Sequence, residues 1–403
     1  MRINYRLIPC FLIILSLSPV SLMGNNALFT YAMYAIKMVV IAYGLYLIVQ
    51  RMCRTALDRF SGIFLLGFVL LAFSTFVHYG TMSALITYGY AIFAFQVMYR
   101  IVNNDVAKLI WYCTYSIGLL LICNTLLMVA IPNGIYQTLQ DRYDYIASIR
   151  VNLLGYDNQL GSVVIPFLGM LFYCSLDQKF YSKAFTRISI ATLLVTFIIT
   201  TSTTLRITLL AYMLAYWIIR KWRLIPWRSL FVSVCVFIFV ITVLQSFTIF
   251  SYFITEVLGK SMTLSNRTYI WAEAIRLIKE NPVLGLGLGG TDNYIYLSIS
   301  HDYRSAHNTY FQLMLRGGIP YFACMFSLMY LAVARRGNIP SHMPLTPMKL
   351  SVIVCMIGMM TEVTNMNFLL LVMFLLFLSE KDIYKFMPHT HMATTAAPVP
   401  IPV

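Results

Sequence analysis

Apolar stretches of roughly 17–25 residues recur along this chain from end to end, and that is the length a helix needs to cross about 30 Å of hydrocarbon. Inside a bilayer no water satisfies the backbone, so such stretches must close their hydrogen bonds within themselves, as helices. Of the 403 residues, 60% are apolar and only 11% are charged; the mean hydropathy is +0.77. A soluble domain is about 25% charged, so this chain lacks the polar surface to dissolve. The expected fold class is an all-α polytopic transmembrane helical bundle of about 12 helices.

The predicted spans lie at about 7–23, 29–49, 60–77, 82–99, 109–131, 159–176, 188–204, 206–219, 229–250, 309–334, 348–361 and 368–379. The seventh and eighth are nearly continuous and can form one broken hairpin. Arg2 and Arg6 before the first apolar run resemble a signal peptide, but no small-x-small cleavage site follows at Val20-Ser21-Leu22-Met23-Gly24, so it reads as a retained helix. The cysteines are scattered, mostly within apolar segments, and form no CxxC pair. They read as small buried hydrophobes.

The net charge of +15 would suggest nucleic acid in a soluble protein. Here the basic residues sit in short connections between spans, with no interleaved aromatic stripe, so no nucleic-acid partner is expected. One alternate set of connections holds Arg51, Arg54 and Arg59, then Arg100 and Lys108, then Lys179, Lys183 and Arg187, then Arg220, Lys221, Arg223 and Arg228, then Arg335, Arg336 and Lys349. The opposite set is about half as basic, which assigns the first set, and both termini, to the cytoplasm. The chain is thus expected in the cytoplasmic (inner) membrane, with two long segments, about 132–158 and 251–308, on the exported side. This divides it into spans one to nine (1–250), an exported loop (251–308), spans ten to twelve (309–385) and a disordered cytoplasmic tail (386–403).

A long loop of globular composition is a place to look for chemistry. Within it, Ile270, Trp271, Ala274, Ile275 and Ile278 recur at helical spacing and make one apolar face. Ser265 or Asn266 can cap the helix and Pro282 ends it. Such an amphipathic helix is expected to lie flat at the outer interface. Arg267 and Trp271, one turn apart, share its face. The run Gly285-Leu286-Gly287-Leu288-Gly289-Gly290 lacks the preceding strand of a nucleotide site; a tight re-entrant turn is the leading reading, and direct phosphate contact by Gly285 and Gly287 the other. The pair His307-Asn308 lies at the exported mouth of a span. By itself such a histidine is more often a satisfied hydrogen-bonding residue than a catalyst. Arg206 falls between two apolar runs with no carboxylate near in sequence. An arginine near membrane depth costs at least about 2.5 kcal/mol, which marks it as functional by default, with snorkelling to the interface as the alternative. Lys37 also lies in a span, and no role is assigned to it.

Taken together, Arg267-x-x-x-Trp271, Asn281-Pro282-x-x-Gly285-x-Gly287, His307-Asn308-x-Tyr310 and Gly317-Gly318-Ile319 resemble the signature of the O-antigen ligase/polymerase family. Asn158-x-x-Gly161 and Ser202-Thr203-Thr204-Leu205-Arg206 look like two weaker motifs of the same family. The resemblance implies a GT-C-like, metal-independent membrane glycosyltransferase, a Wzy-type polysaccharide polymerase. Its donor would be a glycan on undecaprenyl diphosphate, consumed at the exported face. It implies that Arg206 and Arg267 hold the lipid diphosphate and that His307 is the base for the acceptor hydroxyl. Trp271, Asn308, Tyr310, Asn158, Gly285 and Gly287 would contact substrate. No metal or cofactor is expected, since a guanidinium meets a diphosphate in fork geometry by itself. An imidazole, with an ordinary pKa near 6.5, suits base work at neutral pH. Flippase and chain-length regulator proteins are the expected partners. An O-antigen ligase is the nearest alternative. A lipid-linked oligosaccharide flippase or transporter would more naturally show two related halves, and a non-catalytic scaffold leaves Arg206, Arg267 and His307 without a purpose.

Overall fold

Capping side chains set where the helices begin. Asp58, Asp105, Ser182 and Ser202 each accept a hydrogen bond from a backbone N–H three residues on, at 3.0, 3.1, 3.3 and 3.2 Å, satisfying a donor that the first turn leaves free. The computed structural model describes residues 5–18, 27–52, 58–142, 145–177, 182–222, 224–243, 267–289, 294–297, 302–335 and 338–382. Residues 251–266 of the expected exported loop, with the Ser265 and Asn266 caps, lie outside the described residues, as does the expected tail at 386–403.

In chain order the elements are α1 (Leu7–Leu17), α2 (Ala27–Met52), α3 (Arg59–Val77), α4 (Met82–Ile101) and α5 (Val106–Ala130). Strands β1 (Tyr136–Arg142), β2 (Tyr145–Asn152) and β3 (Gly155–Tyr156) and a 3-10 turn (Asp157–Gln159) come next, before α6 (Gly161–Asp177), α7 (Lys183–Ile199) and α8 (Thr203–Ile219). Then come β4 (Leu224–Pro226), α9 (Trp227–Thr242), α10 (Arg267–Glu280), β5 (Ile295–Leu297), β6 (Asp302–Arg304), α11 (Thr309–Val333), β7 (Asn338–Pro340), α12 (Leu345–Gly358) and α13 (Met366–Asp382). Each predicted span overlaps a helix, the seventh running from α7 into the first residues of α8, and α10 is the amphipathic segment. Among the described residues, four stretches are long and apolar enough to cross a membrane: Ala27–Gln50, Arg59–Val77, Val106–Ala130 and Asp157–Asp177. Shorter apolar helices include Thr203–Ile219, Trp227–Thr242 and Leu345–Gly358. The seventh and eighth spans are separate helices, turned at 200–202.

Apolar all round, α13 is buried from Phe368 to Leu378 at the centre of the molecule, as that pattern requires. Against one another pack α11 and α3, α12 and α6, α2 and α4, and α1 and α5. The rim helices present apolar side chains outward, among them Val39 and Tyr46 on α2, Ile198 on α7 and Phe239 on α9, the surface a bilayer would cover. The segment 132–158, unassigned from sequence, forms an antiparallel hairpin in which Tyr136 is opposite Val151.

The two ends of the bundle are distinct. At one, β4 pairs antiparallel with β7 through Ile225 and Ile339, and Arg228 Nε donates to the Ala334 carbonyl at 3.2 Å. There the buried Lys349 lies 2.8 Å from Glu380. At the other end the 3-10 turn, the α7–α8 turn, α10, the start of α11 and the α12–α13 connection converge.

Candidate functional site

The site is built on α10. Ile270, Trp271, Ala274 and Ile278 are buried, while Glu273, Arg276 and Glu280 form an outward ion network, in which the Arg276 guanidinium holds the Glu273 carboxyl below the usual carboxylate range. The expected flat lie at the interface gives way to a protein contact, because α11 covers the apolar face. Trp271 is fully buried and meets Phe311 edge-on, with centroids 6.1 Å apart. Its indole N–H donates to the Ala306 carbonyl at 3.1 Å.

One turn before Trp271, on the same face, Arg267 points its Nη2 at Glu362 Oε1, 2.8 Å away. The second carboxylate oxygen, Oε2, accepts from Asn158 Nδ2 at 2.9 Å. Glu362 is buried in the connection between α12 and α13. Burial pushes its carboxyl above the usual carboxylate range, against the pull of the Arg267 charge and of the hydrogen bonds from Arg267 and Asn158. The Glu362 backbone carbonyl accepts from Thr309 Oγ1 at 2.7 Å, and Thr364 N–H donates to that same hydroxyl at 3.0 Å.

His307 is strung between these anchors. On one side is Ala306, held by Trp271 through its carbonyl and by Gln312 Oε1 through its N–H at 3.0 Å. On the other is Asn308, whose Oδ1 caps α11 by accepting from Tyr310 and Phe311 at 2.9 and 3.2 Å. Among the described residues, that leaves the buried Asn308 Nδ2 without a hydrogen-bond partner. His307 itself is partly buried and holds φ at +45°, a left-handed conformation uncommon outside glycine and of the kind found at functional sites.

Arg206 is placed differently. Its Nε donates to the Phe197 carbonyl at 3.2 Å, and its Nη2 to the carbonyls of Ile198 and Thr200 at 3.1 and 2.6 Å. It thereby closes the carbonyl end of α7, where a cation also meets the negative end of the helix dipole. The link from this turn to Arg267 runs through the 3-10 turn. Asp157 Oδ2 accepts from Thr201 N and Oγ1 at 3.0 and 2.7 Å, its Oδ1 accepts from Asn152, and the next residue, Asn158, reaches Glu362.

Of the remaining candidates, Tyr310 is buried, with its hydroxyl donating to the Met356 carbonyl at 2.6 Å. Gly285 and Gly287 take φ of +66° and +72°. A Cβ on Gly285 would come within 2.6 Å of the Leu315 carbonyl, and one on Gly287 within 2.9 Å of Thr75 Cα. The glycine run therefore makes the tight turn that the sequence suggests, pressed against the kink at Gly317-Gly318 in α11 and against α3. The structure thus groups Arg267, Trp271, His307, Asn308 and Asn158, joins Arg206 to them through Asp157, and puts Tyr310 and the glycines in the packing behind. Glu362 is the residue that sequence reasoning missed. Its signal was there, an acidic residue directly after the eleventh predicted span, in a chain with only 14 Asp and Glu.

No curated protein and no solved structure matches the chain at a significant level. Residues 188–326, about a third of the 403 residues, which carry Arg206, Arg267, Trp271 and His307 to Tyr310, match the family model described as O-antigen ligase, and over that stretch this multi-pass membrane chain is similar to the O-antigen ligase/polymerase family.

Proposed function

We propose that the chain is a glycosyltransferase that joins oligosaccharide repeat units carried on undecaprenyl diphosphate into a surface polysaccharide, at the exported face of the cytoplasmic membrane. One observation carries this reading. A guanidinium on α10 and the histidine before α11 are tied to one mouth of the bundle, by the Trp271–Ala306 hydrogen bond and by Glu362, which binds both Arg267 and Thr309.

The chemistry follows from what each group can do. Cleaving the bond between an anomeric carbon and a diphosphate sends both bonding electrons to the leaving oxygen. Arg267, with Arg206, would neutralise that charge as it develops, an effect that in comparable sites is worth about 10²–10³ in rate per donor. The acceptor hydroxyl forms the new glycosidic bond as it loses its proton to His307. The products are an elongated glycan and free lipid diphosphate, to which the imidazolium or solvent returns the proton. Asn308 Nδ2, which has no hydrogen-bond partner among the described residues, sits beside His307 in sequence and can donate to a substrate oxygen. Flippase and chain-length regulator proteins would act before and alongside such a polymerase.

A ligase that moves finished glycan to a lipid acceptor is the second reading, favoured by the description of the matching family model. The deciding experiment gives purified protein lipid-linked repeat units and follows the products on a gel. A polymerase yields a ladder, which His307→Ala and Arg267→Ala abolish while the protein stays folded. A single transferred product that appears only with a second lipid acceptor selects the ligase. Normal ladders from both variants would sink the site assignment.

A further inference from the structure

We infer that Glu362 is the resident counter-anion of Arg267: a diphosphate takes the guanidinium from it, and the released carboxylate then takes a proton from solvent. This rests on the diphosphate reading above and names how the binding is regulated.

The geometry gives Arg267 a carboxylate partner already in place, with Nη2 2.8 Å from Glu362 Oε1, where a phosphate oxygen would have to bind. A ligand anion must therefore compete with Glu362. The carboxylate cannot follow the guanidinium outward. Its own backbone carbonyl is fixed by Thr309, its Oε2 by Asn158, and its side chain is only 7% exposed. Once Arg267 turns to a ligand, a buried negative charge is left with one neutral amide donor. Burial without a counter-charge favours the protonated carboxyl, and the carboxyl is already displaced upward by burial in the resting state.

Among the described residues, the other charged or titratable groups on the elements packed around Glu362 do not substitute for Arg267. Asp157 on the 3-10 turn is turned to Asn152 and Thr201. Arg206 on α8 is committed to carbonyls at the end of α7. His307 precedes Thr309 by two residues and is tethered through Ala306. Glu362 is thus a positioning residue. It orients Arg267 at rest, and its protonation lets the arginine go without leaving a buried charge behind.

The test uses the full-length protein in detergent and inorganic pyrophosphate as the probe. Titration calorimetry in buffers of differing ionisation heat counts protons on binding across about pH 5 to 8. Wild type should take up close to one proton more than Glu362→Gln, whose neutral amide leaves Arg267 unmasked and should bind about tenfold tighter at the upper end of that range. Wild-type affinity should fall as pH rises, and the variant's should change only as far as pyrophosphate itself titrates. An infrared difference spectrum of wild type provides a second measure, independent of how the variant folds: adding pyrophosphate should raise a protonated-carboxyl C=O band. Binding with no extra proton and no such band overturns the inference and leaves the diphosphate reading standing. No pyrophosphate binding by wild type at any of these pH values overturns both.

Discussion

The indole N–H of Trp271 donates to the carbonyl of Ala306, 3.1 Å away and one residue before His307. Through this bond a helix that carries the site's arginine sets the position of the loop that carries its imidazole. Trp271→Phe keeps the ring against Phe311 but loses the donor, leaving a buried carbonyl unsatisfied at a cost of about 1–3 kcal/mol. The expected outcome is a folded protein with a lowered unfolding temperature and a sharply weakened polymerisation ladder. Full activity in this variant would separate the tryptophan from the placement of His307.

Arg206 bonds three backbone carbonyls at the end of α7, a fork that a lysine cannot reproduce. If its guanidinium also meets the lipid diphosphate, Arg206→Lys should raise the KM for lipid-linked donor about tenfold, the worth of one charged hydrogen bond. Steady-state kinetics decides. A change in unfolding temperature with an unaltered KM would confine Arg206 to capping.

Glu362 makes stability depend on pH in a defined direction. Its folded carboxyl binds a proton more tightly than the ordinary group, with a reference value of 4.5, so over the window above that value the native state holds more protons than the unfolded one. Unfolding free energy from this group therefore declines as pH rises from about 4.5 through the raised value, then levels off. Thermal melts of wild type and Glu362→Gln across pH should diverge in that window, with the variant flatter. Parallel curves would contradict the upward displacement.

Lys349 and Glu380 form an ion pair with side-chain exposures of 0% and 1%, at the end of the bundle away from Arg267. Breaking one half with Lys349→Met should destabilise by about 3–5 kcal/mol, while Lys349→Met with Glu380→Leu should recover most of it. Denaturation in detergent measures the difference. The double variant should retain the ladder, since neither group lies at the site.

Gly318 takes φ of +73°, and a Cβ there would fall 2.1 Å from the Val283 carbonyl. Gly318→Ala should cost more than about 3 kcal/mol or prevent folding. Gly289→Ala, with no described residue within 4 Å of the added carbon, should cost little. Expression yield and melting temperature compare the two.

The helices were legible because hydrocarbon thickness writes itself into sequence as length. Arg267 and Trp271 were legible as one face because helical spacing is local. Glu362 was not: it lies 95 residues from Arg267, and only the packing of α12 and α13 against the start of α11 brings it there. Asp157 escaped for the same reason, since its partner Thr201 belongs to another turn. The hairpin at 136–152 also escaped, because strands in a polar loop show little of the apolar periodicity that marks a helix. The role of α10's apolar face was misjudged because amphipathicity specifies a buried face without saying whether lipid or protein buries it.

The left-handed backbone at His307 has a practical consequence for anyone improving this protein. Asparagine and glycine settle into that conformation more easily than an imidazole residue does. If His307 is the base proposed above, a library selected only for heat resistance should therefore drift to those residues at position 307 and return sturdier molecules that no longer turn over. Durability and turnover would then pull apart at one backbone dihedral, and any such screen has to select for both.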